Sequence, residues 1–398
     1  MQILDDKYIF AANNNILRKE IIYPSRGIIK DINNNIIVNN KPVYNLFIIP
    51  RKAKNIDINK LSLLIKVTPK YIRDKIYNSK NIDVIILIKR DIPDYIYASL
   101  QEELHNFNGC FIQRVTKRNY PYNITASHAL GYVSEVENAD IIKSKGYYNI
   151  GDSIGRTGIE YSHERILHGT IGTKFTIVDV FNKPQKPFQN GFYDKKTKIG
   201  ETIICTINLE LQKLGEKLMQ NKRGSIVAIN PKNGDILAFV SSPTYDPNKL
   251  TDYYNSNYNY LKSDIKKPLL IRPIQAQYPP GSLLKPVIAL IGLEKGIINS
   301  GTYFNCYGKY KNGKSFVKCH KAHGTLNLVN SMTYSCNNWY CQLLSYLLDN
   351  NNIQESYNDF KEYLESFGLG IKTNIEIPFE KTGSIKSSEY YNSIYGKK

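Results

Sequence analysis

The sequence predicts an α+β fold in two domains, a mixed N-terminal module over residues 1–195 followed by an α/β domain over residues 196–398. Three observations predict it. At 398 residues the chain is long enough to bury two cores. Its first half reads as short strand-like runs broken by turns. A polar stretch from Asn182 to Gly200, with Pro184 and Pro187, then separates this half from a helix, a hairpin and a strongly apolar helix.

Taken in order, Arg26 to Asp31, Ile36 to Val38 and Val43 to Ile49 read as strands. Asn33-Asn34-Asn35 supplies a turn and Pro50 a stop. Between 57 and 105 the spacing of Leu61, Leu64, Ile65, Ile72 and Ile76 is helical. Leu209 to Met219 reads as an amphipathic helix. Gly224 to Ile229 and Asp235 to Val240 read as strands joined by the turn residues Asn230 to Gly234. The Asn- and Tyr-rich piece from 251 to 260 reads as a surface loop, and no internal repeat is visible.

Lys and Arg number 53 against 35 Asp and Glu, a formal charge of +18. The basic residues are spread along a chain rich in Ile, Asn, Lys and Tyr, with neither a clustered patch nor a nucleic-acid motif. A nucleic-acid partner is therefore not expected. No apolar run reaches the roughly 18 residues that a spanning helix needs. Met1 is followed at once by Gln2, Asp5, Asp6 and Lys7, so neither an anchor nor a signal peptide is expected in the chain as written.

The chemistry-bearing signal begins at Pro279-Pro280-Gly281-Ser282, which opens an apolar helix carrying Leu283, Leu284, Val287, Ile288, Leu290, Ile291 and Leu293. Lys285 lies three residues on and so shares a face with Ser282. A serine hydroxyl needs a base to become a nucleophile, and a lysine becomes one when burial lowers its pKa. An isolated Ser-x-x-Lys also fits an N-cap serine followed by a solvated lysine. About fifty residues later, Ser335-Cys336-Asn337 follows a helix start at Asn327 and precedes apolar Trp339, Leu343 and Leu344. That spacing is the one found between the first two motifs of the penicillin-recognising serine enzymes.

Other blocks extend the match. Tyr23-Pro24-Ser25-Arg26-Gly27-Ile28-Ile29-Lys30-Asp31, Ile154-Gly155-Arg156-Thr157-Gly158-Ile159-Glu160, Gly224 to Asn248, and Tyr278 to Pro286 stand in order at family-like spacing. Across nearly its whole length the chain resembles the penicillin-binding protein 2 family, the class B, elongation-type D,D-transpeptidases of peptidoglycan. The resemblance implies a pedestal, dimerisation-like N-terminal domain and a serine transpeptidase domain of β-lactamase-like fold. It implies that Ser282 attacks the carbonyl between the terminal D-alanines of a stem peptide. Lys285 would then be the base, Ser335 a proton carrier and Asn337 the donor-orienting amide, with β-lactams acylating the same serine. The implied setting is the periplasmic face of the bacterial inner membrane, in cell elongation and shape maintenance. The implied partners are an elongation glycosyltransferase and scaffold membrane proteins. A β-lactamase or β-lactam sensor shares the two catalytic motifs but would not carry the Arg26-Gly27 and Gly155–Glu160 blocks.

Cys306, Cys319, His323 and Cys336 form a Cys-x12-Cys-x3-His-x12-Cys series with ligand types suited to tetrahedral zinc, and His320 is a spare candidate. Some members of the resembled family carry zinc in this region. Reduced thiols or a disulfide are the alternatives, and no cofactor is required for the chemistry itself.

Lys381-Thr382-Gly383 has the letters of the family's third motif, yet it lies only 46 residues after Ser335. The family places that motif far downstream, so these residues are read as outside the site. The resemblance therefore implies a chain lacking the third motif and the anchor helix. Without the strand that carries that motif, which would supply one oxyanion-hole amide, the chain alone is expected to be inactive or poorly folded unless a separate chain completes it. An inactive fragment or a non-catalytic scaffold of the elongation machinery is the alternative to the transpeptidase reading.

Overall fold

A computed structural model describes residues 17–53, 56–77, 85–148, 152–178, 184–252, 254–313, 315–349 and 352–396. The expectations placed on Met1 to Lys7 and on residues 182–183 lie outside the described residues. The fold is mixed α/β, and the chain divides into two compact units, Met1–Leu269 and Leu270–Lys398. Among the described residues no helix is long and apolar enough to cross a membrane.

In the first unit, β1 (Leu17–Ile22), β2 (Ile29–Lys30), β3 (Ile36–Ile48), α1 (Ile58–Ile65), α2 (Pro69–Tyr77), β4 (Ile86–Ile92), α3 (Asp94–Glu103) and β5 (Cys110–Asn119) come first. The two strands expected at 36–38 and 43–49 are one continuous β3. Pro42 is tolerated inside it because one edge of β3 is open there, between the stretch that pairs β2 and the stretch that pairs β4. The helical spacing at 57–105 yields α1, α2 and α3. It conceals β4, whose short apolar run gives no periodicity to tell strand from helix. Leu46, Ile48, Leu61, Ile65, Ile72, Ile88, Ile92, Ile96 and Leu100 form the core between this sheet and these helices.

Next come α4 (Ser127–Leu130), β6 (Val133–Glu135), α5 (Asn138–Lys143), β7 (Ser153–Gly155), α6 (Gly158–Ser162), α7 (Glu164–His168), β8 (Gly172–Val178), β9 (Pro184–Pro187) and β10 (Ile203–Ile204). β10 extends the main sheet to the order β10-β2-β3-β4, with β5 on β3, while β1, β8 and β9 form a second sheet. The two sequence blocks of this unit meet in one buried ion cluster. Glu160, wholly buried, accepts from Arg26 Nε and from Arg118 Nε of β5, each at 2.6 Å. Arg118 Nη1 also donates to Gly27 O at 2.6 Å. Gly27 packs so tightly that a Cβ there would lie 1.9 Å from Glu201 O, and Gly158 holds φ +58, which explains both glycines in the motifs.

The unit closes with α8 (Leu209–Leu218), β11 (Gly224–Ile229), β12 (Ile236–Ser242), α9 (Asn248–Asp252) and α10 (Tyr254–Ser263). Asn208 caps α8 by accepting from the amides of Glu210 and Leu211. The segment from α8 to Tyr245, just past β12, joins this unit through Glu216, which accepts from Ala126 N at 2.7 Å, and through Tyr245, whose hydroxyl donates to Ser127 O at 3.2 Å. The expected loop at 251–260 is instead the end of α9 and most of α10. Its aromatic and apolar residues Tyr258 and Leu261 pack on buried Tyr132, Tyr245 and Leu250, and that burial outweighs the weak helix propensity of Asn and Tyr.

The second unit contains α11 (Arg272–Gln275), a 3₁₀ turn (Gly281–Leu284), α12 (Lys285–Glu294), β13 (Phe304–Cys306), β14 (Lys309–Asn312), β15 (Ser315–Lys318), β16 (Gly324–Leu326), α13 (Leu328–Thr333), α14 (Asn337–Leu348), α15 (Ile353–Ser366) and α16 (Ser388–Tyr395). β13 pairs with β16, and β14 with β15, both antiparallel. Ile288, Ile291, Trp339, Leu343, Leu347, Phe360 and Leu364 form a core of helix against helix. This core fixes α12 against α14, the two helices that carry the candidate catalytic side chains.

Candidate active site and metal cluster

Pro279-Pro280-Gly281 leads into the 3₁₀ turn, which leaves Ser282 exposed and turns Lys285 inward to 9% exposure at the start of α12. Pro286 loses nothing there, because amides in the first turn have no intrahelical acceptor. Asn327 caps α13 by accepting from Asn330 N, and the turn between α13 and α14 holds Ser335 at φ +47. A serine in the left-handed region is strained, and strain of this kind is typical of functional positions. Two bonds hold it: Ser335 N donates to Met332 O and Cys336 N to Ser331 O.

The four predicted residues converge. Lys285 Nζ donates to Ser335 O at 2.7 Å, to Ser335 Oγ at 2.9 Å and to Asn337 Oδ1 at 2.7 Å. The Ser335 hydroxyl donates to Ser282 Oγ at 3.1 Å, so the lysine reaches Ser282 through the Ser335 hydroxyl. Burial pushes the Lys285 pKa below its ordinary value, against the opposing pull of Cys336, Cys319 and Cys341. Every acceptor around Nζ is neutral, so the ammonium has no carboxylate to hold its proton. With the lysine neutral, the two hydroxyls can rotate to pass a proton from Ser282 to Ser335 to Nζ.

The cysteine series also converges. The ligand atoms of Cys306, Cys319, His323 and Cys336 all lie within 4.8 Å of one another. Cys306 Sγ is 3.7 Å from Cys319 Sγ and 3.5 Å from His323 Nδ1, and Cys319 Sγ is 3.8 Å from Cys336 Sγ. Tetrahedral zinc, with Zn–S of about 2.3 Å and Zn–N of about 2.0 Å, requires S···S of about 3.8 Å and S···N of about 3.5 Å. The four residues therefore fit that ion, whereas a disulfide would need sulfurs about 2.05 Å apart. Burial would raise the Cys306 pKa, but amides of Gly308 and His323 hydrogen-bond its sulfur and hold it below the ordinary value. Two amides of α14, from Asn338 and Trp339, point at the sulfurs of Cys319 and Cys336 at 3.3 and 3.4 Å. His320 is exposed and stands outside the cluster.

Sequence reasoning missed three groups. The Lys318 carbonyl accepts from Asn337 Nδ2 at 2.9 Å and fixes the amide that faces Lys285. Buried Asn338 ties α14 to β14 by donating to Lys309 O at 2.5 Å. The ring of Tyr340 lies 5.6 Å from Lys285 Nζ. The first two bond to main-chain carbonyls, which leave no mark in a sequence. Tyr340 lies one helical turn after Cys336, a spacing that could have pointed to it. Lys381-Thr382-Gly383 lies in irregular chain rather than in a strand, with Lys381 N bonded to Ile274 O and Thr382 O accepting from Gln277 Nε2.

Residues 21–204 match the penicillin-binding protein dimerisation domain, and residues 224–397 match the penicillin-binding protein transpeptidase domain. The peptidoglycan D,D-transpeptidase MrdA of Acinetobacter baumannii is 28% identical over 97% of this chain and 57% of its own length. MrdA of Escherichia coli K12 is 28% identical over 98% of this chain and 62% of its own length. The chain thus spans about three-fifths of the length of these curated relatives. Among solved structures, the complex between penicillin-binding protein PBP2 and MreC from Helicobacter pylori superposes with a TM-score of 0.81 at 25% identity, covering 96% of this chain and 71% of that one.

Proposed function

Because the chain belongs to the penicillin-binding proteins, in the branch that joins a dimerisation domain to a transpeptidase domain, we propose that it is a peptidoglycan D,D-transpeptidase working through a serine acyl-enzyme. Ser282 Oγ attacks the carbonyl between two terminal D-alanines, and its proton passes by way of Ser335 to Lys285. The C–N bond then breaks, a proton returns to the departing D-alanine amine, and an amine of a neighbouring strand later displaces Ser282. Asn337 orients the donor peptide. β-Lactams acylate the same oxygen.

The observation that supports this reading most strongly is the chain Lys285 Nζ, Ser335 Oγ, Ser282 Oγ, with links of 2.9 and 3.1 Å beside an inward-turned lysine. Labelling of the purified chain with a fluorescent penicillin tests it. Labelling that appears in the native chain and vanishes in Ser282→Ala supports it. A folded native chain that takes no label overturns the reading.

Cys306, Cys319, His323 and Cys336 would hold a structural zinc ion, which would brace the β14–β15 region against the start of α14 and thereby Ser335 and Asn337. Elemental analysis of the purified protein, with Cys306→Ser for comparison, tests this. The proposed setting is the periplasmic face of the bacterial inner membrane, in cell elongation. There the chain would work with a glycosyltransferase and a scaffold membrane protein, the latter of the kind bound by the Helicobacter pylori relative.

A further inference from the structure

We propose that the β14–β15 hairpin is a recognition arm for the carboxylates of the stem peptide, an inference that rests on the transpeptidase reading and names what binds beside the site. Between Glu294 and Asp349 the chain contains no Asp or Glu, although Lys295, Lys309, Lys311, Lys314, Lys318 and Lys321 all fall in that stretch. Lysine is common throughout this protein; a stretch of this length without any carboxylate is what sets the region apart.

The register concentrates the charge. Lys309 stands directly opposite Lys318, and Lys311 directly opposite Phe316. Opposed residues share a face, as do residues two apart on one strand, so Lys309, Lys311, Phe316 and Lys318 lie on one face of the hairpin. All four are exposed. Two lysines directly opposed in an antiparallel pair repel, and among the described residues none of these lysines has an ion-pair partner. The Lys318 ammonium lies 5.4 Å from the Phe316 ring centre, so the face combines cations with an apolar platform. Such a face is complementary to an extended peptide that carries carboxylates.

Its location selects the ligand. Lys318 gives its carbonyl to Asn337 Nδ2, so the arm is one hydrogen bond from the amide that touches Lys285. Asn338 bonds to Lys309 O, so the other strand is tied to the same helix. On this proposal a peptide whose scissile carbonyl reaches Ser282 lays its internal carboxylates against these lysines, and a penicillin, which lacks those internal carboxylates, does not use them.

The test uses the full chain carrying Ser282→Ala, so that binding is measured without turnover. The probe is a fluorescent stem pentapeptide ending in D-Ala-D-Ala, alongside the same peptide with its internal carboxylates amidated. Lys309→Glu combined with Lys311→Glu is expected to weaken binding of the acidic peptide by about five- to tenfold and to leave the amidated peptide unchanged. Raising salt should weaken the parent's binding and have little effect on the variant's. Penicillin labelling of the same double variant with Ser282 restored reports whether the site still assembles, and labelling at the parent's rate is expected. Equal affinity of parent and double variant for the acidic peptide overturns the arm, as does equal weakening for both peptides. If the native chain takes no penicillin yet the charge-dependent peptide binding is present, the transpeptidase reading falls and the arm stands.

Discussion

Both compact units bury cations, and Arg26 and Arg118 in the first are handled in the opposite way from Lys285 in the second. In the first unit the guanidiniums of Arg26 and Arg118 close on the carboxylate of Glu160, and Arg26 also pairs with Glu164. Burial would raise the Glu160 pKa, but the two guanidiniums hold it below the ordinary carboxylate value. Burial alone would likewise lower Arg26, and its carboxylate partners hold it above its ordinary value. In the second unit Lys285 is turned inward among a carbonyl, a hydroxyl and an amide oxygen, with no carboxylate against it, and its pKa falls. Compensated charge gives a lock that keeps its protons. Uncompensated charge gives a group ready to exchange one.

The sharpest way to break this contrast is to remove the exchangeable cation. Lys285→Met should lower the rate of penicillin acylation by about 100- to 10,000-fold, the range of a lost general base, while thermal stability changes little. In the native chain that rate should rise with pH through an apparent pKa below the lysine value of 10.5, because only the neutral amine accepts a proton. A rate flat in pH would remove Lys285 from the role of base.

Next in size is the lock. Glu160→Gln strands the Arg118 guanidinium in the interior and should cost about 3–5 kcal/mol in denaturant unfolding, whereas the fraction still folded should take penicillin normally. The lock also sets an acid limit. With a folded pKa below the unfolded 4.5, Glu160 contributes its stability above 4.5 and loses it as pH falls through the folded value. The native chain should therefore lose stability on acidification more steeply than the variant does.

The smallest effect lies in a mixed case. His168 Nε2 meets Asp152 at 2.9 Å. Burial lowers its pKa, but the hydrogen bond and charge of Asp152 raise it further, to a net value above 6.5. Its stability contribution is full below 6.5 and is lost as pH rises through the folded value. His168→Gln should flatten that alkaline slope by about 1 kcal/mol in melts between pH 6 and pH 9.

Most of the candidate catalytic centre was legible because its parts are local. Ser282 and Lys285 are one helical turn apart, a spacing that implies a shared face, and Ser335 and Asn337 flank a single residue, so each pair is close by covalent connection alone. The cysteine series was legible for the same reason: each ligand type is rare and the intervals are regular. The ion lock was not legible as a lock. Its motifs were visible, but Arg26 and Glu160 are separated by 134 residues and Arg118 lies in neither block. Helix α10 was missed because its residues favour turns locally, and packing on Tyr245 and Leu250 decided against them.

The sequence by itself determined which side chains are the candidates for the chemistry, since candidate nucleophile, base and ligand types follow from covalent structure and short intervals. Only the tertiary structure decided which cations are neutralised. Whether a buried lysine or arginine meets a carboxylate depends on residues brought together across the fold. That meeting, through desolvation and Coulomb attraction, is what separates Lys285 from Arg26.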